Sequence, residues 1–344
     1  MTDVNQKAKR GLKDNFFDDL QSERGLLHPL LSLVKSDNTL MLAIRDNYIN
    51  IYYRGGNLLK LSSPNDDRQY KADFDWNYAS EQSWPPDMKD YVFGEKEFEN
   101  LKEKLSAQNS DEAIIKTAGD VKLWLTALPQ LKQIMDIWLT KNAKNEREFQ
   151  QLVVRENNFS ALANQSDYFI VDIEAAYPGA RFDILAAKWP ATQQARKKDQ
   201  LNLAFIEMKY GEKSLEGDAG LLKHLQDFEK FMQDGKLSIL RKTVTEQIKQ
   251  LNDLSLLKHT RTENRDFEFE ENAKPEVIIL LASYPPQSQR LKNLFKDKEN
   301  ILKLEHFANH ELFSLKFYIP HSAGYGLFCN DIFDLKHFQN HWKL

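Results

Sequence analysis

The stretch that decides the fold is Leu201-Asn202-Leu203-Ala204-Phe205-Ile206-Glu207-Met208-Lys209-Tyr210. Side chains of a β-strand alternate between its two faces, so Leu203, Phe205, Glu207 and Lys209 share one face. Both faces are apolar over most of this length, which predicts a central strand that is covered on both sides. Burying a carboxylate and an ammonium group at the end of such a strand is costly unless they are paired or bind a ligand. This cost indicates a functional site at the strand end.

A second carboxylate, Asp183, lies among apolar residues in the preceding strand-like segment, residues 181–188. If this segment pairs with residues 203–210, Asp183 comes to lie beside Glu207. Two carboxylates without a dedicated protein cage suit Mg²⁺, which prefers oxygen ligands and keeps several waters, and Mn²⁺ is the alternative ion. A divalent ion there can activate a water and stabilise the charge that develops on a phosphodiester. Lys209 faces the same way and would orient the attacking water or neutralise the phosphate.

This pattern, Asp183 followed after a connecting segment by a Glu207-x-Lys209 pair on an apolar strand, resembles the PD-(D/E)XK nuclease superfamily. The resemblance covers residues 144–329 and implies a restriction-endonuclease-like fold. It also implies that Asp183 and Glu207 bind the metal ion and that Lys209 assists catalysis. The family's proline before the aspartate is absent, since Phe182 stands there.

The resemblance implies supporting residues on two flanking helices. Members of the family often carry a glutamate on the helix before the sheet. Here Glu146 is favoured over Glu148, because it projects closer to the apolar stripe of its predicted helix. The helix after the E-x-K strand often contributes a polar residue, for which His224 is the candidate. A plain position of His224 on the helix surface stays open as the alternative.

A basic cluster, Arg196, Lys197 and Lys198, lies in the long connection between the two site strands. Taken alone, such a cluster is more commonly a solvated loop. Beside a metal site it is equally compatible with contact to nucleic-acid phosphates, and His224 is assigned to the same contact surface. We expect DNA rather than RNA to be the nucleic acid.

The hydrophobic pattern and the resemblance together predict an α/β protein with two domains. Residues 1–140 are expected to form an α+β domain of unassigned role, with a β-meander between residues 39 and 61 and a helix from 120 to 141 that Pro129 interrupts or kinks. Residues 141–344 are expected to form the nuclease-like domain, with an α-β-β-β-α core and a mixed central sheet. Its predicted elements are a helix at 146–156, strands at 168–175, 181–188 and 203–210, helices at 215–232 and 239–257, and strands at 276–283, 315–319 and 325–329.

Composition and charge are those of a globular protein. The chain has 344 residues, of which 41% are hydrophobic and 28% charged, and its net charge is −4. A negative balance argues against nucleic-acid binding by the whole surface but is compatible with a localised basic groove. The single cysteine, Cys329, excludes an intramolecular disulfide and lies in an apolar stretch, which predicts a core position. The sequence shows no signal-peptide pattern and no membrane-length apolar run, which predicts a soluble cytoplasmic protein without membrane association.

The predicted function is hydrolysis of phosphodiester bonds by a metal-dependent nuclease, acting as a monomer or as a homodimer. Three other interpretations stay open. The same fold can serve as a catalytically inactive module that binds nucleic acid or protein. The chain can also be a structural protein whose meander binds a partner. Finally, Glu207 and Lys209 can form a structural ion pair, with Asp183 bound by Arg181.

Another pair of carboxylates competes for the role of metal site. Asp172 and Glu174 share one face of the first strand predicted in the second domain. Charged residues that alternate along a strand are more often on the solvated side of a sheet edge, and this is our interpretation of the pair.

Overall fold

The computed structural model describes residues 10–79, 95–106, 113–177, 180–215, 220–259, 265–285, 288–320 and 324–344. The chain divides into two compact units, Arg10–Gln151 and Leu152–Leu344. The predicted boundary after residue 140 coincides with the end of a long helix, Ala118–Lys141. The division instead falls inside the helix that follows, Asn145–Val154, so that helix contributes residues to both units.

The Arg10–Gln151 unit is built on an antiparallel sheet. Its described elements are α1 (Asp14–Gln21), α2 (His28–Ser36), β1 (Leu40–Ile44), β2 (Tyr48–Tyr53), β3 (Gly56–Ser62), β4 (Tyr70–Asp73), α3 (Glu95–Ser106), β5 (Ala113–Ile115), α4 (Ala118–Lys141) and the first part of α5 (Asn145–Val154). The strands pair in the order β1-β2-β3-β4-β5, each antiparallel to its neighbour. The predicted β-meander is therefore confirmed and forms the first three strands.

The long helix α4 begins at a capping box. Thr117 Oγ1 accepts the Asp120 backbone N–H, and the Asp120 side chain accepts the Thr117 backbone N–H. Pro129, which was expected to interrupt or kink this helix, does not interrupt it, and α4 continues to Lys141. Neither α4 nor another helix in the described part of the chain combines the length and hydrophobicity that crossing a membrane requires.

The turn between β2 and β3 depends on Gly55. Its φ is +72°, in the left-handed region that side chains rarely adopt. A Cβ atom at this position would lie 2.6 Å from the carbonyl carbon of Arg147, so the backbone of α5 leaves no room for one. The neighbouring Arg54 pairs with Asp136 at 2.8 Å and with Glu148 at 3.0 Å. The start of α5 therefore packs directly on this turn of the meander.

The Leu152–Leu344 unit is built around a mixed sheet. Its described elements are the end of α5, β6 (Tyr168–Tyr177), β7 (Ala180–Lys188), β8 (Gln200–Tyr210), α6 (Leu221–Gln233), α7 (Leu237–Asp253), β9 (Glu268–Phe269), β10 (Glu276–Ala282), α8 (Gln289–Lys296), α9 (Lys298–Ala308), β11 (Ser314–Tyr318) and α10 (Leu335–Trp342). The strand order is β11-β10-β8-β7-β6, and β9 pairs with β8. The pairs β6–β7 and β7–β8 are antiparallel, whereas β8–β10 and β10–β11 are parallel. The predicted α-β-β-β-α order and the α/β class are confirmed.

Strand β8 lies in the middle of this sheet, as its apolar faces predict. Residues 203–209 are all buried, and β10 is buried over its whole length. Phe182 and Phe205, whose ring centroids lie 4.8 Å apart, pack against Phe228 and Phe231 of α6 at centroid distances of 5.0 to 6.2 Å. Aromatic pairs of this kind contribute about 0.5–1.5 kcal/mol each beyond their buried area. This cluster fixes α6 against the carboxyl-terminal half of β8.

The prediction of a strand at residues 325–329 is wrong. The segment forms no strand, and a short 3-10 turn, Cys329–Asp331, follows it. Its backbone bonds instead to the buried amide of Asn157. The amide Nδ2 donates to the Tyr325 carbonyl at 2.9 Å, and Oδ1 accepts the Leu327 N–H at 2.8 Å. A side chain has thus taken the place of a neighbouring strand.

The helix predicted at residues 146–156 ends earlier, at Val154, and a π-helical turn, Arg155–Phe159, follows it. This turn places the Asn158 amide against the edge strand β6. The amide donates to the Ile170 carbonyl and accepts the Ile170 N–H, both at 2.8 Å. Because β6 is an edge strand, these backbone groups of Ile170 would otherwise be open to pairing with another chain. Asn158 therefore closes this part of the sheet edge.

Candidate active site

Asp183 and Glu207 lie on neighbouring strands at the point where their ladder ends. The register of β7 with β8 ends at the pair Ile184↔Ile206, and Asp183 and Glu207 are the next residues along. Here a side chain replaces the backbone ladder, because Asp183 Oδ2 accepts the Met208 N–H at 2.9 Å. The predicted pairing of the two strands is confirmed. It brings the Asp183 carboxylate to the backbone between the two charged residues of β8.

Glu207 and Lys209 form an ion pair on one face of β8, as alternation along the strand predicts. Lys209 Nζ donates to Glu207 Oε1 at 2.9 Å. His224 Nδ1, from α6, lies 2.9 Å from the same oxygen. Glu207 is 1% exposed and Lys209 is 4% exposed, whereas the His224 side chain is 32% exposed. His224, for which the sequence left two positions open, thus stands between the buried pair and solvent.

The two donors converge on one oxygen of Glu207. Within the described part of the chain, no hydrogen bond uses its other oxygen, Oε2. Burial alone would raise the pKa of Glu207, but the hydrogen bond from His224 and the positive charge of Lys209 outweigh burial and hold the pKa below its usual value. Glu207 is therefore an ionised, buried carboxylate with one oxygen that the described residues do not engage.

These donors fit a magnesium-type ion better than a zinc-type ion. Among the described residues, no three His, Cys, Asp or Glu side chains are grouped so as to hold a metal ion. Zinc sites use three or four protein ligands. Mg²⁺ is commonly held by one or two carboxylates, because waters and substrate phosphates complete its shell. Asp183 and Glu207 can supply that smaller set.

The predicted auxiliary carboxylate lies in the other unit. Glu146 and Glu148 both stand in the first turn of α5, within Arg10–Gln151. Glu148 Oε1 accepts Arg54 Nε at 3.0 Å, so this carboxylate is engaged within its own unit. The role of Glu146 stays a prediction.

The basic cluster divides into one buried and two exposed residues. Arg196 is 7% exposed; its guanidinium lies 4.2 Å from the Trp189 ring centre and donates to the Ser166 carbonyl at 2.6 Å. Burial lowers the pKa of Arg196 to about 10. Contrary to the prediction, Arg196 is not placed to contact nucleic acid, because its side chain holds the β7–β8 connection in position. Lys197 and Lys198 are exposed, and their contact with nucleic acid stays a prediction.

The rival carboxylates Asp172 and Glu174 do not form a solvated pair. Asp172 is fully buried, and its Oδ2 accepts Gln247 Nε2 at 3.2 Å. Glu174 has a positive φ of 50° and pairs with Arg181. The solvated-edge interpretation is therefore wrong for Asp172. The alternative in which Arg181 binds the site aspartate is also wrong, since the ion pair of Arg181 is with Glu174.

A second, partly buried ion pair lies toward the opposite end of β8. Glu276, the first residue of β10, accepts Lys188 Nζ at Oε1 and the Tyr168 hydroxyl at Oε2, both at 2.7 Å. Burial alone would lower the pKa of Lys188, but Glu276 outweighs burial and raises it. Burial and the charge of Glu276 both raise the pKa of Tyr168. Cys329 Sγ lies 4.0 Å from the same hydroxyl, and burial raises the pKa of this thiol. Both oxygens of Glu276 are thus engaged by the protein.

Sequence reasoning missed this second cluster. Tyr168, Lys188 and Glu276 each stand at the end of a strand, where polar residues ordinarily indicate a boundary. Their contact requires β8 to lie between β7 and β10, and the order of elements along the chain does not show this arrangement. The weak signal that was present is a tyrosine and two charged residues directly beside strongly apolar runs.

Comparisons of the chain with protein-family models, with curated proteins and with solved structures gave no match.

Proposed function

We propose that this protein is a metal-dependent nuclease that hydrolyses phosphodiester bonds, with DNA as the favoured substrate and Mg²⁺ or Mn²⁺ as the cofactor. Asp183 and Glu207 are the proposed metal ligands, Lys209 is the proposed catalytic lysine, and Glu146 is the proposed auxiliary carboxylate. The contacts of Asp183, Glu207 and Lys209 and the burial of the last two support the proposal, as does the resemblance of their pattern to PD-(D/E)XK nucleases.

The proposal rests mainly on the unequal hydrogen bonding of the two Glu207 carboxylate oxygens. Glu276 shows how a structural ion pair is satisfied in this sheet, with a donor on each oxygen. In Glu207 both donors, Lys209 and His224, bond to Oε1, and no hydrogen bond within the described residues reaches Oε2. A buried ionised carboxylate in this state is suited to binding a cation.

Each residue has a distinct part in the proposed reaction. When bound, the divalent ion would polarise a phosphate oxygen and activate water. The Met208 N–H fixes the orientation of Asp183, so this carboxylate loses little freedom when it binds a ligand. Lys209 keeps an ammonium group at the strand end, where it would neutralise phosphate charge or orient the attacking water. Burial of the site lowers the local dielectric and strengthens these interactions.

The test is a cleavage assay with the full-length chain. Supercoiled plasmid, linear duplex, single-stranded DNA and single-stranded RNA are incubated with Mg²⁺, Mn²⁺ or EDTA, beside the Glu207→Gln and Lys209→Ala variants. We expect cleavage that requires metal and that falls at least about 100-fold in each variant, the size of effect seen when one group that stabilises the transition state is lost. Undiminished metal-dependent cleavage by both variants in clean preparations would contradict the proposal.

The second ion pair provides a matched control. The double variant Lys188→Met/Glu276→Gln also removes a Lys–Glu pair, here a partly buried one, from the same sheet, but it leaves Glu207 and Asp183 intact. We expect it to keep metal-dependent cleavage per folded molecule. If this control loses cleavage as completely as Glu207→Gln does, the loss reflects damage to the sheet rather than removal of a site.

A catalytically inactive binding module is the second candidate, because Lys209 already compensates the charge of Glu207 and His224 bonds to the same oxygen. Metal binding separates the two. A ligand that binds only the folded state at 100 times its Kd stabilises it by about 2.7 kcal/mol. A melting temperature that rises with Mg²⁺ in the native protein but not in Glu207→Gln favours the nuclease. No rise, with nucleic-acid binding retained in EDTA, favours the module.

A further inference from the structure

The Arg10–Gln151 unit contains an open groove for which the proposed chemistry has no use. Its volume is about 550 Å³. Its walls come from the segment between α1 and α2, from the loop before β4 and from the start of α4. Apolar side chains line part of it, namely Leu26, Val121 and Leu125. The charged residues that line it are Arg24, Arg68, Lys116, Lys122 and Asp19.

The single carboxylate of this lining does not neutralise the groove. Asp19 is 3% exposed and forms an ion pair with Arg68, which also lies 3.9 Å from Asp18, so the charge of Arg68 is compensated at the wall. Arg24, Lys116 and Lys122 are exposed, and within the described ranges none of the three has an ion-pair partner. Three uncompensated positive charges are therefore gathered in one groove of a protein whose net charge is −4.

The helix end in this groove is not itself an anion site. Asp120 already accepts the backbone N–H groups of Lys116 and Thr117, each at 2.9 Å. The attraction for anions thus comes from side chains on separate segments. The segment between α1 and α2 is held firmly, because a Cβ atom on Gly25 would lie 2.4 Å from the Asp19 carbonyl oxygen. The groove is a packed feature of the fold rather than a loose collection of surface lysines.

The chemistry of the groove selects among anionic partners. Several separate cations along an open groove match the repeated phosphates of a nucleic-acid strand better than one small anion, and the apolar wall suits the sugars between them. A lipid surface fits less well, because membrane-surface binding requires exposed apolar side chains beside the cations. The exposed large apolar residues of the described chain all lie in the other unit: Leu162, Ile239, Leu302 and Leu312.

We propose that this groove binds the sugar-phosphate backbone of nucleic acid, which gives the Arg10–Gln151 unit the task of holding the substrate. The choice of DNA as the ligand rests on the proposed nuclease function, but binding can be measured without cleavage. Each cation that neutralises a phosphate of duplex DNA contributes about −0.9 to the slope of log K against log salt concentration.

The test measures binding of fluorescein-labelled duplex and single-stranded DNA to the full-length chain by anisotropy, in EDTA, between 50 and 200 mM salt. The groove variant is Arg24→Glu/Lys116→Glu/Lys122→Glu. The matched control reverses three exposed lysines of the same unit that do not line the groove, namely Lys13→Glu/Lys35→Glu/Lys104→Glu. Circular dichroism and melting confirm that both variants fold.

We expect the groove variant to bind DNA at least about 10-fold more weakly at low salt, with a salt slope smaller by about 3, because three phosphate contacts are lost. The control is expected to lose much less. Equal losses in the two variants, or an unchanged slope in the groove variant, would overturn the inference. So would full competition by inorganic phosphate at the concentration of DNA phosphates, or groove-dependent binding to phosphatidylserine vesicles in place of DNA.

Failure of this inference is distinguishable from failure of the proposed nuclease. Groove-dependent DNA binding by a protein that cuts no nucleic acid supports the groove and refutes the nuclease. Metal-dependent cleavage that is lost in Lys209→Ala, with DNA binding that the groove variant leaves unchanged, supports the nuclease and refutes the groove.

Discussion

Replacing Lys209 alone and replacing it together with Glu207 should have clearly different effects on stability. The substitution Lys209→Met removes the ammonium group that bonds to Glu207 at 2.9 Å, and it leaves behind a carboxylate that is 1% exposed. The double variant Glu207→Gln/Lys209→Met removes both charges and keeps side chains of similar size. The single variant therefore strands a buried charge, and the double variant does not.

The magnitudes follow from how buried ion pairs behave. Removing one partner of a buried pair costs about 3–5 kcal/mol, whereas replacing both partners by uncharged groups is often neutral or stabilising. His224 still contacts Glu207 Oε1 in the single variant, so we expect a loss near the lower limit, about 3 kcal/mol. We expect the double variant to lie within about 1 kcal/mol of the native protein or above it. The double variant should therefore be more stable than Lys209→Met by about 2–3 kcal/mol or more.

Hydrogen–deuterium exchange of peptides that cover β8 measures the loss of stability locally, and urea denaturation measures the loss for the whole protein. A loss of about 3 kcal/mol corresponds to exchange roughly 150 times faster. The reasoning is refuted if the double variant exchanges as fast as Lys209→Met, or if Lys209→Met exchanges as slowly as the native protein. Both variants are expected to be inactive in cleavage. A double variant that is stable but inactive would show that the charges are kept for function at the expense of stability.

Three further predictions concern the frame around the two candidate sites. Asn157→Leu leaves buried backbone groups unpaired and should cost at least about 3 kcal/mol in urea denaturation, so a loss under about 1 kcal/mol would contradict the bonding described for this amide. Gly55→Ala should cost several times more than Gly235→Ala. Both glycines have positive φ, but a Cβ atom on Gly235 meets no atom within 4 Å. At Gly235, therefore, only the roughly 1 kcal/mol cost of the left-handed backbone applies. Equal melting temperatures of the two variants would refute this prediction. Burial alone would raise the pKa of Asp37, but its hydrogen bond with Lys132 outweighs burial and holds the pKa below its usual value. Asp37→Asn should therefore cost up to about 1 kcal/mol at pH 7, and the difference should disappear as pH falls through that lowered pKa; a cost independent of pH would show that the charge is not its source.

The elements that the sequence predicts well are those with a strong local pattern. Strands β8 and β10 carry unbroken apolar runs, and the meander carries apolar strands between Gly and Asn turns, so their positions follow from neighbouring residues alone. The segment at residues 325–329 is equally apolar but forms no strand, because its backbone partner is the side chain of Asn157 from the π-helical turn. A contact over this sequence distance leaves no trace in local periodicity.

The charged residues likewise divide into those that a local pattern predicts and those whose burial depends on distant contacts. Glu207 and Lys209 were recognised because alternation places two charges on one buried face. Arg196 and Asp172 were misjudged because their burial depends on distant partners, the Trp189 ring and the Gln247 amide. A β-bulge in β6 also shifts which of its side chains face inward. Sequence patterns therefore identified the charges that a strand buries, and missed those that tertiary contacts bury.

The charge of a phosphodiester substrate links the proposed metal site to the proposed nucleic-acid groove. A site that holds its metal with Asp183 and Glu207 repels a phosphate until the ion is bound, and Lys209 offsets only part of that repulsion because it is already paired with Glu207. Affinity for the substrate must then come largely from cations elsewhere, and the groove in the Arg10–Gln151 unit supplies three. Binding and chemistry should consequently be separable. Variants of the groove should weaken DNA binding and raise KM with little change in kcat, and Lys209→Ala should lower kcat while DNA binding in EDTA persists.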